Sequence, residues 1–375
     1  MRLATLRAGV SEGGGPDGTL VLVSPDAATV LPVPDIATTL QFALENWDAI
    51  SPRLAERGAA LAAGDASGAR PLDPAALAAP LPRAWQWLDG SVYPSHGALM
   101  DKALGIQPEK VDRPMMYQGV SDTFYGPRDD VPMASEDLGI DFEGEFGIIT
   151  DAVPMGVTPA EARRHIRLIV QINDWSLRAL AGLEMKTGFG WIQAKPPCGM
   201  APFAITPDEL GEAWTDCRPA LNLRVEWNGA QFGDAFGQPM AYGFDDLVAH
   251  AARTRRLVAG TVIGSGTVSN DNFREVGSSC IAERRGIEIV DEGAATTQFM
   301  RFGDRVRMEA HLPGGGTPFG ALEQKVVKPR AARPRVRYAA SSPAMMPTGA
   351  RASSRTRHSS RATCRAAMPR CALSG

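Results

Sequence analysis

Between about residue 76 and residue 328 the sequence is a succession of short β-type runs separated by Gly and Pro, without the strand–helix alternation that a doubly wound sheet requires. FEGEFGIIT, HIRLIVQIND, LNLRVEWNG, GTVIGSGTVS, RGIEIVD and DRVRMEA all read as strands. Helical signals are few: TPAEARRHI, the stretch after Asp174, and DDLVAHAARTRR. In the first of these, Thr158 and Glu161 have capping-box spacing, with Pro159 in the first turn. The expected fold class is α+β, mainly β: a mixed or antiparallel β-roll or sandwich.

Upstream, residues 1–75 carry short apolar runs (TLVLVS, ATVLPVP) and then a helical pattern, TTLQFALENWDAISPRLAERGAALAAG, which together read as a small α+β module. DPAALAAPLPRAWQWLDGS reads as the linker into the main domain, residues 76–328. Residues 329–375 form a third segment, rich in Arg, Ala, Ser and Pro, with no hydrophobic period. Disorder is expected there. Its abrupt onset after FGALEQKVV has the look of a GC-rich gene read out of frame.

The tail also distorts the charge. The net charge is −3, but residues 330–375 hold ten Arg and no Lys, Asp or Glu, and subtracting those ten leaves −13 on residues 1–329. An acidic body argues against a nucleic-acid partner. The first residues lack a signal-peptide core, and no apolar run is long enough for a bilayer helix, so a cytoplasmic location and no membrane partner are expected. Five cysteines, Cys198, Cys217, Cys280, Cys364 and Cys371, have no metal-site spacing and read as reduced thiols.

DFEGEFG, residues 141–147, places Glu143 and Glu145 on one face of an extended segment. Such a pair is either a solvated face or the two sides of a cation site. The flanking Ile140, Phe142, Phe146, Ile148 and Ile149 favour burial, and buried carboxylates need a counter-charge. Oxygen ligands suit Mg²⁺, Mn²⁺ or Ca²⁺. Asp174, ending RLIVQIN, reads either as a helix cap or as a third carboxylate; Asp89, seven residues before His96, reads as turn text or as a fourth.

In this order, D-G-S-x-Y-x-x-H, M-Y-Q-G, D-F-E-x-E, N-D-W-S-x-R, A-K-P and G-T-V-S-N resemble the fumarylacetoacetate hydrolase family over residues 80–328. The resemblance implies a catalytic domain of that fold, with the small N-terminal module as the accessory domain of longer members. It implies that Asp89, Glu143, Glu145 and Asp174 hold a divalent cation, Mg²⁺ first. It further implies that His96 is the general base activating water, that Lys195 stabilises the developing anion, and that Tyr117 and Thr267 contact substrate. A small diketo or 2-oxo acid is the expected partner, and a homodimer the expected assembly.

The chain also departs from the family pattern. Asn272 stands where the eukaryotic enzymes carry the glutamate that orients the histidine, with Asp271 adjacent, and Leu99 stands where smaller members carry one. Ala181 and Met185 replace polar substrate contacts. The first functional expectation is a divalent-metal-dependent hydrolase of a carbon–carbon bond in fumarylacetoacetate or an acylpyruvate, in the catabolism of aromatic compounds including tyrosine. The alternatives are a 2-oxo acid decarboxylase, hydratase or isomerase on the same platform, and an inactive metal- or oxo-acid-binding homologue.

Overall fold

Three neighbouring strands set the frame. Ile166–Asn173 pairs antiparallel with Gly144–Thr150, which pairs antiparallel with Thr261–Gly264. The computed structural model describes residues 1–7, 15–105, 107 and 111–329; the basic tail lies outside the described residues. These strands are mostly apolar and almost wholly buried because both faces are covered. Ile148, Ile169 and Ile263 enter one core, while Ile149, Leu168, Val170 and Val262 enter another on the opposite face.

The sheet continues on both sides to eleven strands. Beyond Thr261–Gly264 comes Gln86–Gly90, in parallel, and then Met116–Gly119. On the other side Ala204–Ile205 joins Ile166–Asn173 to Arg2–Leu6, so the N-terminal strands Thr19–Val23 and Thr29–Pro32 extend the same sheet. Helices Leu40–Glu45 and Trp47–Ala63 cover one face with Leu40, Leu44, Trp47, Ile50 and Leu54. A second, five-stranded sheet covers the other and includes Asn222–Trp227, Arg305–His311 and Leu322–Val327. Buried Gln171 pins the two sheets together: its amide donates to Met308 O at 3.0 Å and accepts from Ala310 N at 2.8 Å. The fold is α+β and mainly β.

The capping box at Thr158 and Glu161 forms on the helix Pro159–Ala162, as its spacing predicts. RGIEIVD, expected as a strand, is instead part of the helix Ile281–Glu292. Alternating I-E-I suggested period two, but tertiary packing overrides that preference. Gly286 lets this helix approach Leu99, Met100 and Ala103 of a second helix, Pro94–Leu104, closely. That second helix begins at the residues Y-P-S-H and carries His96.

Candidate active site

The sheet face under the N-terminal helices contains a hole made by two glycines. Strand pairing places Asp89 opposite Gly264, and Gly264 opposite Gly147, so this row has no side chain between Asp89 and Val170. A Cβ on Gly264 would lie 2.3 Å from the Trp87 ring, 2.5 Å from Asp89 Oδ1 and 2.9 Å from Glu145 Oε2. Asp89 and Glu145 lean into that space. Asp174, just past the end of Ile166–Asn173, completes a buried group whose ligand atoms lie within 4.8 Å of one another.

Three buried acids this close repel. Burial first, then the Asp174 charge, pushes the Asp89 carboxyl well above its usual range; burial, then Asp89 and Asp174, does the same to Glu145. Both Glu145 oxygens are buried and neither accepts a hydrogen bond. An orphaned, fully buried carboxylate beside two others suits a hard divalent cation, and an all-oxygen donor set suits Mg²⁺, Mn²⁺ or Ca²⁺.

Asp174 is better supplied. Tyr117 donates to its Oδ2 at 2.6 Å, Lys195 Nζ to the same oxygen at 2.5 Å, and Cys198 Sγ to Oδ1 at 3.0 Å. Lys195 also reaches Glu143 Oε1 at 2.8 Å and stands 5.4 Å from the centre of the Tyr117 ring. Burial works against its charge, but Asp174 and Glu143 hold it protonated, with its pKa raised.

Glu143 stands outside the three-acid group. Its Oε1 accepts from Ser176 at 2.5 Å and from Lys195 and forms an ion pair with Arg178 at 2.9 Å, while its Oε2 accepts from Thr267 at 2.6 Å. Burial opposes ionisation, yet Arg178 and Lys195 overcome it and hold this carboxyl below its usual range. The two glutamates, Glu143 just before the strand Gly144–Thr150 and Glu145 within it, thus end with opposite electrostatics. One is saturated by cations and hydroxyls; the other lacks any donor.

His96 has its own acidic partner. Its Nδ1 lies 3.6 Å from Glu283 Oε1, on the helix Ile281–Glu292, and Glu283 is fully buried. Ser269 donates to Glu283 Oε1 and accepts from Ser95 at 2.9 Å. An acid facing Nδ1 leaves Nε2 as the nitrogen free to take a proton.

The family model for the fumarylacetoacetate (FAA) hydrolase C-terminal region matches residues 86–327, and that for fumarylacetoacetase N-terminal domain 2 matches residues 1–83. The chain belongs to the fumarylacetoacetate hydrolase family. Among curated relatives, 2,4-didehydro-3-deoxy-L-rhamnonate hydrolase of Sphingomonas sp. (strain SKA58) is 24% identical over 157 residues, 41% of this chain and 52% of that protein. The chain thus spans about half the length of the curated relatives it matches. Among solved structures, maleylpyruvate hydrolase from Sphingobium sp. SYK-6, in complex with manganese(II) and pyruvate, superposes with TM-score 0.59 at 16% identity. The 5-carboxymethyl-2-hydroxymuconate delta-isomerase from Mycobacterium smegmatis gives 0.56 at 17% identity. Each covers 88% of this chain and is itself covered completely.

Within this fumarylacetoacetate hydrolase fold, the eight residues named from sequence fall into linked groups. Asp89, Glu145 and Asp174 cluster; Lys195 and Tyr117 bond Asp174; Glu143 joins them through Lys195, and Thr267 bonds Glu143. His96 pairs with Glu283, which sequence reasoning missed. Asn272, which stands where the eukaryotic enzymes carry the orienting glutamate, is exposed at the start of the short helix Phe273–Val276 and bonds Glu275 at 3.2 Å. Glu283 was hidden by the strand reading of the segment that follows it. Arg178, the arginine of N-D-W-S-x-R, is the second cation on Glu143.

The glycine hole makes a direct prediction. Gly264→Ala puts a methyl group against Trp87 and between Asp89 and Glu145, and is expected to lower Mn²⁺ affinity at least about 100-fold, read by isothermal calorimetry. Unchanged affinity in a folded variant would mean that this hole is not the cation site.

Proposed function

We propose that the protein is a divalent-metal-dependent hydrolase that cleaves a carbon–carbon bond in a β-diketo acid of the fumarylacetoacetate or acylpyruvate class. The observation that carries this reading is the donor-less Glu145 carboxylate packed against Asp89 and Asp174. Those three residues would hold the cation, with Glu143 adjoining through Lys195, and Mg²⁺ is the expected ion. A cation bound there polarises the substrate carbonyl as a Lewis acid.

The chain's own residues supply the remaining steps. His96 Nε2, with the Glu283 carboxylate 3.6 Å from its Nδ1, takes a proton from water, whose oxygen adds to the carbonyl. The carbon–carbon bond then breaks, its electron pair stays on the departing oxo-acid fragment, and that fragment takes up the proton. Lys195 places a fixed positive charge where oxyanion character grows, and Tyr117 and Thr267 shape the same wall. At the remote end, half-buried Ala181 and exposed Met185 offer no polar contact.

The test is loss of diketone absorbance with acylpyruvate and fumarylacetoacetate. Cleavage is expected with Mg²⁺ or Mn²⁺, to vanish with EDTA, and to fall by about two orders of magnitude or more in Glu143→Ala. No cleavage with metal bound would move the assignment to the second reading, a decarboxylase, hydratase or isomerase on the same site. That reading draws on the 3.6 Å separation of His96 and Glu283, longer than a hydrogen bond. An aromatic catabolic pathway and a homodimer belong to the same proposal, and light scattering is expected to give twice the chain mass. No described helix is long and apolar enough to cross a membrane.

A further inference from the structure

Lys195 is delivered by a loop whose side chains, Trp191 apart, do little to hold it. After the helix Arg178–Thr187 the chain turns through Gly188 and Gly190 in left-handed backbone, with Phe189 95% exposed and Ile192 79% exposed. Residues so exposed contribute almost no packing energy to fix the loop's position. Three of its backbone N–H groups instead converge on one carboxylate of that helix. Glu184 Oε2 accepts from Ile192 at 3.1 Å and Ala194 at 3.0 Å, and Oε1 accepts from Gln193 at 2.8 Å. The next residue is Lys195. Behind it, Ala194 O accepts from Leu177 N at 2.8 Å, tying the loop's end to the segment that follows Asp174.

The same loop carries Trp191, whose ring meets Tyr117 edge-on with centroids 5.9 Å apart, and Tyr117 in turn bonds Asp174. One loop thus carries Lys195 and touches Tyr117, and three of its N–H groups rest on one carboxylate.

We infer that Glu184 is a positioning residue: by clamping the N–H groups of residues 192–194 it sets Lys195, and with it Trp191, against the acidic site. This rests on the proposed function only for the consequence in catalysis. Glu184 touches neither the cluster nor, through any bond described above, a substrate, and its effect passes through Lys195. A displacement of the order of 1 Å in such a group costs about 100-fold in rate.

The experiment combines hydrogen exchange with a double-mutant cycle in the full chain. In Glu184→Ala, amide protection in the peptide spanning residues 188–195 is expected to be lost, kcat/KM to fall about 100-fold and Mn²⁺ affinity to stay within about threefold. Glu184→Gln, whose amide oxygen can still accept from two N–H groups, is expected to recover part of both losses. Adding Glu184→Ala to Lys195→Ala should cost nothing further, because both remove the same interaction. Retained protection in Glu184→Ala, full kcat/KM, or losses that add to those of Lys195→Ala would each overturn the assignment. Absence of diketo-acid cleavage by the wild type would sink the hydrolase reading alone. The exchange result would still decide whether Glu184 holds the loop.

Discussion

Replacing Glu145 by glutamine is expected to abolish divalent-cation binding while raising the thermal midpoint of the cation-free protein. The two effects have one cause. Glu145 is fully buried among like charges, with neither oxygen accepting a hydrogen bond, and its carboxyl is pushed well above its usual range. A carboxyl whose folded pKa lies above its unfolded value contributes stability in its neutral form, and that contribution is lost as pH rises through the folded pKa. Glutamine is permanently neutral, so at neutral pH the variant sheds the repulsion. It also sheds the ligand. Calorimetry with Mn²⁺ should show affinity lower by at least about 100-fold, and scanning with and without Mn²⁺ should show that the cation no longer shifts the midpoint. A variant that is destabilised and still binds Mn²⁺ would mean that Glu145 is held by something other than a cation.

His96 and Glu283 give the second large effect. His96→Ala is expected to lower kcat for diketo-acid cleavage by about 10²- to 10⁴-fold, the usual worth of a general base, with Mn²⁺ affinity unchanged. Glu283→Gln keeps the shape but removes the carboxylate facing Nδ1, and is expected to lower kcat less. A rate that survives in His96→Ala would sink water activation and favour decarboxylation, which needs no base to make a hydroxide.

The carboxylates were legible because their chemistry is local. E-x-E within an apolar strand, and an Asp closing RLIVQIN, are short-range patterns whose oddity shows without a structure. Asp89 needed the family resemblance, since D-G alone reads as a turn. The arrangement of strands was less accessible. Nothing in GTVIG announces that it runs parallel to QWLDG, or that Gly264 leaves a hole beside Asp89. Glu283 was lost for a similar reason. Its helix alternates Ile and Glu like a strand over I-E-I, and its packing at Gly286 against the helix Pro94–Leu104 is not visible in the sequence. The opposite electrostatics of Glu143 and Glu145 were equally invisible, because they depend on Arg178, Lys195, Ser176 and Thr267 converging on one side chain.

The parallel pairing of Gln86–Gly90 with Thr261–Gly264 also dictates when the protein can acquire its chemistry. The two partners are separated by about 175 residues of chain, so although Gln86–Gly90 can pair early with the nearby Met116–Gly119, it lacks its parallel neighbour until most of the sequence has been synthesised and folded back. The site that would hold a divalent ion lacks its Gly264 wall until that pairing forms. Until then the nascent chain exposes apolar strands on both sides of a gap, and during synthesis at physiological concentrations that gap is a point of vulnerability to aggregation.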